Sequence, residues 1–156
     1  MNINKTLVVI GLLSAGLSWG APLKARSASQ KIEIENTWAR LSRDEPGAAS
    51  VYFDIVNRGE ESDVLVSASS PVAEKAQLGK ARWHGTEYKT HPIDHINVKP
   101  GLTTLGPGKM EIALSKLVKD VPLGHAIPVT LVFERAGRME IEAVVGNQML
   151  GNRLKR

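Results

Sequence analysis

The stretch Ile127-Pro-Val-Thr-Leu-Val-Phe-Glu134, followed across Arg135-Ala-Gly137 by Arg138-Met-Glu-Ile-Glu-Ala-Val-Val145, decides the fold. Ile127, Val129, Leu131 and Phe133 share one parity. So do Met139, Ile141, Ala143 and Val145, with Glu140 and Glu142 opposite them. Apolar residues at every second position mark a half-buried strand, one face toward a core and one toward water. The short link containing Gly137 makes the pair a hairpin.

The same period recurs upstream. Ile32 and Ile34 alternate with Lys31, Glu33 and Glu35, and Val51, Phe53 and Ile55 alternate with Tyr52, Asp54 and Val56. Between these runs stand turn signals: Glu45-Pro46-Gly47, Asn57-Arg58-Gly59, Pro100-Gly101, Gly106-Pro107-Gly108, Pro122-Leu123-Gly124 and Ala136-Gly137. Short strands so punctuated, without a sustained helical period, predict an all-β domain, an antiparallel β-sandwich or barrel. The single helical candidate is Pro71-Val-Ala-Glu-Lys-Ala-Gln-Leu78, good helix formers after Ser69-Ser70, and long enough for only a turn or two.

Composition narrows the chemistry. The chain of 156 residues is 42% apolar and 23% charged, too apolar and too mixed in sign to stay unfolded. Its net charge of +4 is spread out and gives no nucleic-acid footprint. The sequence contains no cysteine, which excludes disulfide frameworks, thiolate metal sites, cysteine nucleophiles and a cysteine-linked lipid anchor on these residues.

Residues 1–20 read as an address. Lys5 precedes an apolar run from Thr6 to Leu17, and Ser18 and Gly20 fit a signal-peptidase site before Ala21. The run falls short of the roughly 20 residues a spanning helix needs, so the expectation is a cleaved secretory signal and a periplasmic or secreted protein with no membrane anchor after cleavage. Residues 21–30 are expected to be a disordered lead-in, 31–146 the folded domain and 147–156 a basic tail.

No enzyme motif stands out. His91-Pro-Ile-Asp-His95 has the spacing of a zinc hydrolase, but Pro92 opposes a helix interior, and along a strand four residues span about 13 Å. Gly106-Pro-Gly-Lys109 is followed by Met110 rather than the Ser or Thr of a phosphate loop, and a tight turn is expected there. The remaining histidines, His84 and His125, have no recognisable partners in sequence.

Several blocks in order resemble the PCu(A)C-type periplasmic copper chaperones. They are Ile32-Glu-Ile-Glu-Asn-Thr-Trp38-Ala-Arg40, Gly47-Ala-Ala-Ser-Val-Tyr52 through Gly59, Asp63 through Ala73, the Leu105-Gly-Pro-Gly108 turn leading to Ile112-Ala-Leu114, and Ile127 through Gly137. The resemblance spans nearly all of 32–145. It implies a cupredoxin-like or immunoglobulin-like sandwich and copper held by a His, a Met and a later His-x-Met pair. Thioether sulfur favours Cu(I), and imidazole suits both oxidation states.

Carried onto this chain, those four positions are Gly79, Thr90, Glu111 and Ala113. None is a soft ligand, and only Glu111 has a metal-binding group at all, a hard oxygen. His84, His91 and Met110 are the available substitutes. A one-residue step along a strand turns His91 and Met110 to the face opposite Thr90 and Glu111, and His95 shares the parity of His91. Met139 reads as a core residue. The resemblance implies a copper chaperone with partners in periplasmic copper trafficking or oxidase assembly, yet the replaced ligands argue against copper transfer. The other reading is a secreted β-sandwich interaction module with no metal of its own.

Overall fold

The computed structural model describes residues 31–146. The expected signal, lead-in and basic tail therefore lie outside the described residues. Among the described residues there are ten strands and no helix: β1 (Ile32–Leu41), β2 (Ala49–Asn57), β3 (Asp63–Ser69), β4 (Ala73–His84), β5 (Glu87–Pro92), β6 (Ile96–Val98), β7 (Gly101–Leu105), β8 (Met110–Leu117), β9 (Ala126–Phe133) and β10 (Gly137–Val145).

They form one sheet in the order β5-β4-β8-β2-β1-β10-β9-β3-β6, with β7 paired to β2. β3 and β4 stand toward opposite ends of that order yet touch each other, so the sheet is folded over on itself. The result is the sandwich expected from the alternation. Its departure from a purely antiparallel arrangement is the β1–β10 pair, which runs parallel with Trp38 opposite Val144.

The hairpin that decided the fold is present, with Gly137 opposite Phe133 and Ile141 opposite Val129. Ile127, Val129, Leu131 and Phe133 are all buried. They meet Val51, Phe53 and Ile55 of β2, Ile112 and Leu114 of β8, and Leu65 of β3 in one core, each side chain contributing about 1.5–3 kcal/mol by leaving water. Met139 packs against that core from the half-buried side.

The helical candidate Pro71–Leu78 does not form a helix. Residues 73–80 pair antiparallel with β8, from Ala73 opposite Leu117 to Lys80 opposite Met110. The Ser70 hydroxyl, placed to cap a helix, donates instead to the Pro128 carbonyl at 2.7 Å. Pairing with β8 and burial of Val72 and Leu78 outweigh a helix propensity worth only tenths of a kcal/mol per residue.

Two polar details fix the frame. Asp63 is buried, and its carboxylate accepts backbone N–H bonds from Val64 at 2.7 Å and from Arg135 and Ala136 at 2.9 Å, tying the β9–β10 turn to β3. In β1, Asn36 adopts φ 52° at a bulge, so that two residues there oppose one of β2. Its side chain donates to Asp54 at 2.7 Å. Before the bulge Ile32 points into the core; after it Thr37 and Ala39 do, and Trp38 and Arg40 face outward.

Candidate functional site

The outer face of β1, β2, β8, β4 and β5 collects the residues of interest. The bulge sets Trp38 directly opposite Tyr52, and their rings lie 4.6 Å apart at 39°. Val51 opposite Ile112 brings Tyr52 beside Glu111. The Tyr52 hydroxyl donates to Glu111 Oε2 at 3.0 Å and accepts from Arg40 Nη2 at 3.3 Å, while the guanidinium stands 5.8 Å from the Tyr52 ring centroid.

Tyr52 has no exposed surface although its parity turns it away from the core. Burial pushes its phenol above the ordinary value. A Ser50 hydrogen bond opposes that, the Glu111 charge adds to it, and Arg40 opposes it. Tyr52 thus remains a protonated donor, and Glu111 is its acceptor. The alternation puts Tyr52 on the solvent side and Trp38, at the parity of Ile32 and Ile34, on the core side; only the bulge turns Trp38 outward, so a tyrosine on polar parity in a chain with 4% aromatics is the available signal.

Gly79 of β4 pairs with Glu111. A Cβ built on Gly79 would meet Thr90 Cγ2 at 2.5 Å and Glu111 Cγ at 3.6 Å. Gly79, Thr90 and Glu111 therefore stand together on the outer face, and Ala113, opposite Gln77 and Ser50, follows one same-face step along β8. Their chemistry does not fit Cu(I): a hydrogen, a methyl and a hydroxyl offer no soft donor, and the one carboxylate is held by Tyr52.

The substitutes separate. His91 and Met110 each pair with Lys80, so they share a cross-strand row with Lys80 between them, on the face opposite Glu111. Two strand spacings, about 9.6 Å, divide their backbones. His84 and His91 do meet, Nε2 to Nε2 at 2.8 Å. His95 lies in the link before β6, and His125 in the turn before β9. The Gly106–Lys109 segment is the expected tight turn, Lys109 N–H donating to the Gly106 carbonyl at 2.9 Å. Among the described residues no group of three or more His, Cys, Asp or Glu is arranged to hold a metal, and no helix is long and apolar enough to cross a membrane.

A folded-over ten-stranded sandwich with an aromatic and charged outer face is the class of domain these features define. The family model described as "Putative lipoprotein LpqE-like" matches residues 32–145. The chain belongs to this LpqE-like family, of the PCuAC domain type.

Among solved structures, it is similar to the copper-bound PCuAC domain from PmoF2, with 31% identity and a TM-score of 0.60 over 74% of this chain and 92% of that one. It is also similar to the apo PCuAC domain from PmoF1, with 30% identity and a TM-score of 0.62 over 74% and 93%. Apo-DR1885 from Deinococcus radiodurans, at 16% identity and a TM-score of 0.54 over 94% and 97%, shares the fold. No curated protein matches the sequence.

Proposed function

We propose that this chain is an exported member of the copper-chaperone-like family whose family ligand face has given up copper and serves as a contact surface for a partner in copper trafficking. The observation that carries this reading is the closure at Gly79: a ligand side chain there would start 2.5 Å from the Thr90 methyl. The neighbouring Glu111 is engaged by Tyr52. A soft-ligand cup has been replaced by a packed aromatic and charged surface, which suits protein recognition better than metal exchange. The role is non-catalytic, and the compartment is the periplasm or the exterior.

Rebuilding the family ligands tests the metal half. With His84 and His91 both replaced by Ala, the chain should not compete with a Cu(I) chelator. The same background carrying Gly79→His, Thr90→Met, Glu111→His and Ala113→Met should. Tight one-to-one binding before the ligands are rebuilt would reject the reading. For the contact half, a periplasmic extract should yield a partner that Trp38→Ala fails to retain, and recovery of nothing specific would count against it.

A further inference from the structure

The opposite face of the β4–β5 hairpin carries a feature that the family positions do not use. His84 pairs with Glu87 across Gly85-Thr86, a two-residue loop in which Gly85 takes φ +66°. Loops of this length with Gly at the first position hold their strands in a fixed register. On the face of His84 the next rungs are Arg82 opposite Lys89 and then Lys80 opposite His91. The two imidazoles lean toward each other from either side of the middle rung until their Nε2 atoms stand 2.8 Å apart, with ring centroids at 5.0 Å. Both rings are accessible, His84 exposed and His91 half-buried.

We propose that His84 and His91 form a two-imidazole site for Cu(I) on the β4–β5 hairpin. At present one Nε2 donates to the other. Binding moves that proton to Nδ1 of the donor ring and leaves two neutral rings with both Nε2 lone pairs on the ion. No net proton is released and no electron moves. The rings open from 2.8 Å to about 4 Å between nitrogens, twice an ordinary metal–imidazole bond.

The surroundings select the ion. Two nitrogen donors satisfy a monovalent d10 ion, whereas divalent ions take more ligands and favour added oxygen donors. Lys80, Arg82 and Lys89 share the face, and a single added positive charge is disfavoured there less than a double one. Met110 stays outside the site, beyond Lys80. The site is independent of the reading of the outer face, because it uses none of Gly79, Thr90, Glu111 or Ala113.

The test is anaerobic titration of the full chain with Cu(I), followed by NMR of the histidine ring nitrogens and by competition with a chromophoric chelator. The His84 and His91 rings should shift together at one equivalent, while His95 and His125 stay in place. Zn(II) at the same concentration should leave all four unmoved. His84→Ala and His91→Ala should each weaken Cu(I) binding by at least about tenfold, and His95→Ala should not. Equal shifts of all four rings, equal response to Zn(II), or affinity unchanged in both variants would overturn the site. Cu(I) shifts at the Tyr52 and Glu111 amides in addition to those of His84 and His91 would overturn the outer-face reading alone; shifts there instead would overturn both.

Discussion

Gly79 and Thr90 touch so closely that the glycine has no room for a side chain: a Cβ at Gly79 would lie 2.5 Å from Thr90 Cγ2. The contact is between a backbone and a β-branched methyl that has few rotamers to retreat into. It therefore makes the two positions mutually dependent.

Gly79→Ala should lower stability by about 1–3 kcal/mol, the usual cost of forcing a methyl into occupied space. In a Thr90→Ala background the same change should cost far less, since the offending Cγ2 is gone. Urea unfolding of the four-member cycle measures the coupling. Simple additivity of the two changes would show that the contact does not govern the pair.

Tyr52 should impose a pH dependence at the alkaline end. Its phenol is raised above the ordinary value of 10.0, burial being the main cause. Well below pH 10.0 the phenol is protonated in both folded and unfolded chains, and its contribution is fully present. As pH rises through the folded value the unfolded chain releases the proton first, and stability falls. Tyr52→Phe should flatten that decline in denaturation midpoints collected upward from pH 9. The variant should also lose about 1–3 kcal/mol at neutral pH by leaving Glu111 and Arg40 without their shared hydroxyl. An unchanged alkaline slope would contradict this account.

Asp63 should matter more than its distance from the outer face suggests. Its carboxylate receives three backbone N–H groups, from Val64, Arg135 and Ala136. Asp63→Ala removes all three acceptor contacts and should cost at least about 1–3 kcal/mol. Asp63→Asn retains one good acceptor but turns an NH2 toward an N–H, and should recover only part of the loss. Hydrogen exchange offers a local readout: the Arg135 and Ala136 amides should lose protection before those in the middle of β9.

What could be read in advance follows the range of the interactions. The alternation in β9 and β10 is local, and each residue from Ile127 to Phe133 takes the face its parity implies. The strand at Ala73–His84 is hidden because Ala, Glu, Lys and Gln favour helices, and β8, whose paired residues lie 30 to 44 positions on, overrules them. The parallel β1–β10 pairing joins the two ends of the domain and leaves no trace in either strand's pattern. At the candidate site, Gly79, Thr90, Glu111 and Ala113 were grouped through family resemblance, not spacing. The Tyr52–Glu111 bond and the His84–His91 approach depend on register between strands. The Gly85-Thr86 loop that sets the second of these is short enough to have been recognised as a hairpin.

The bulge at Asn36 divides β1 into two segments that answer to different constraints. Residues before it are phased to the core by Ile32, and residues after it by Thr37 and Ala39, leaving Trp38 and Arg40 outward. The same strand can thus be edited on one side of Asn36 without rephasing the other, while straightening the bulge with the residue count unchanged would exchange Trp38 and Arg40 with Thr37 and Ala39. One backbone irregularity therefore acts as the switch point at which a lineage can rewrite the outer surface of this sandwich while its interior is inherited intact.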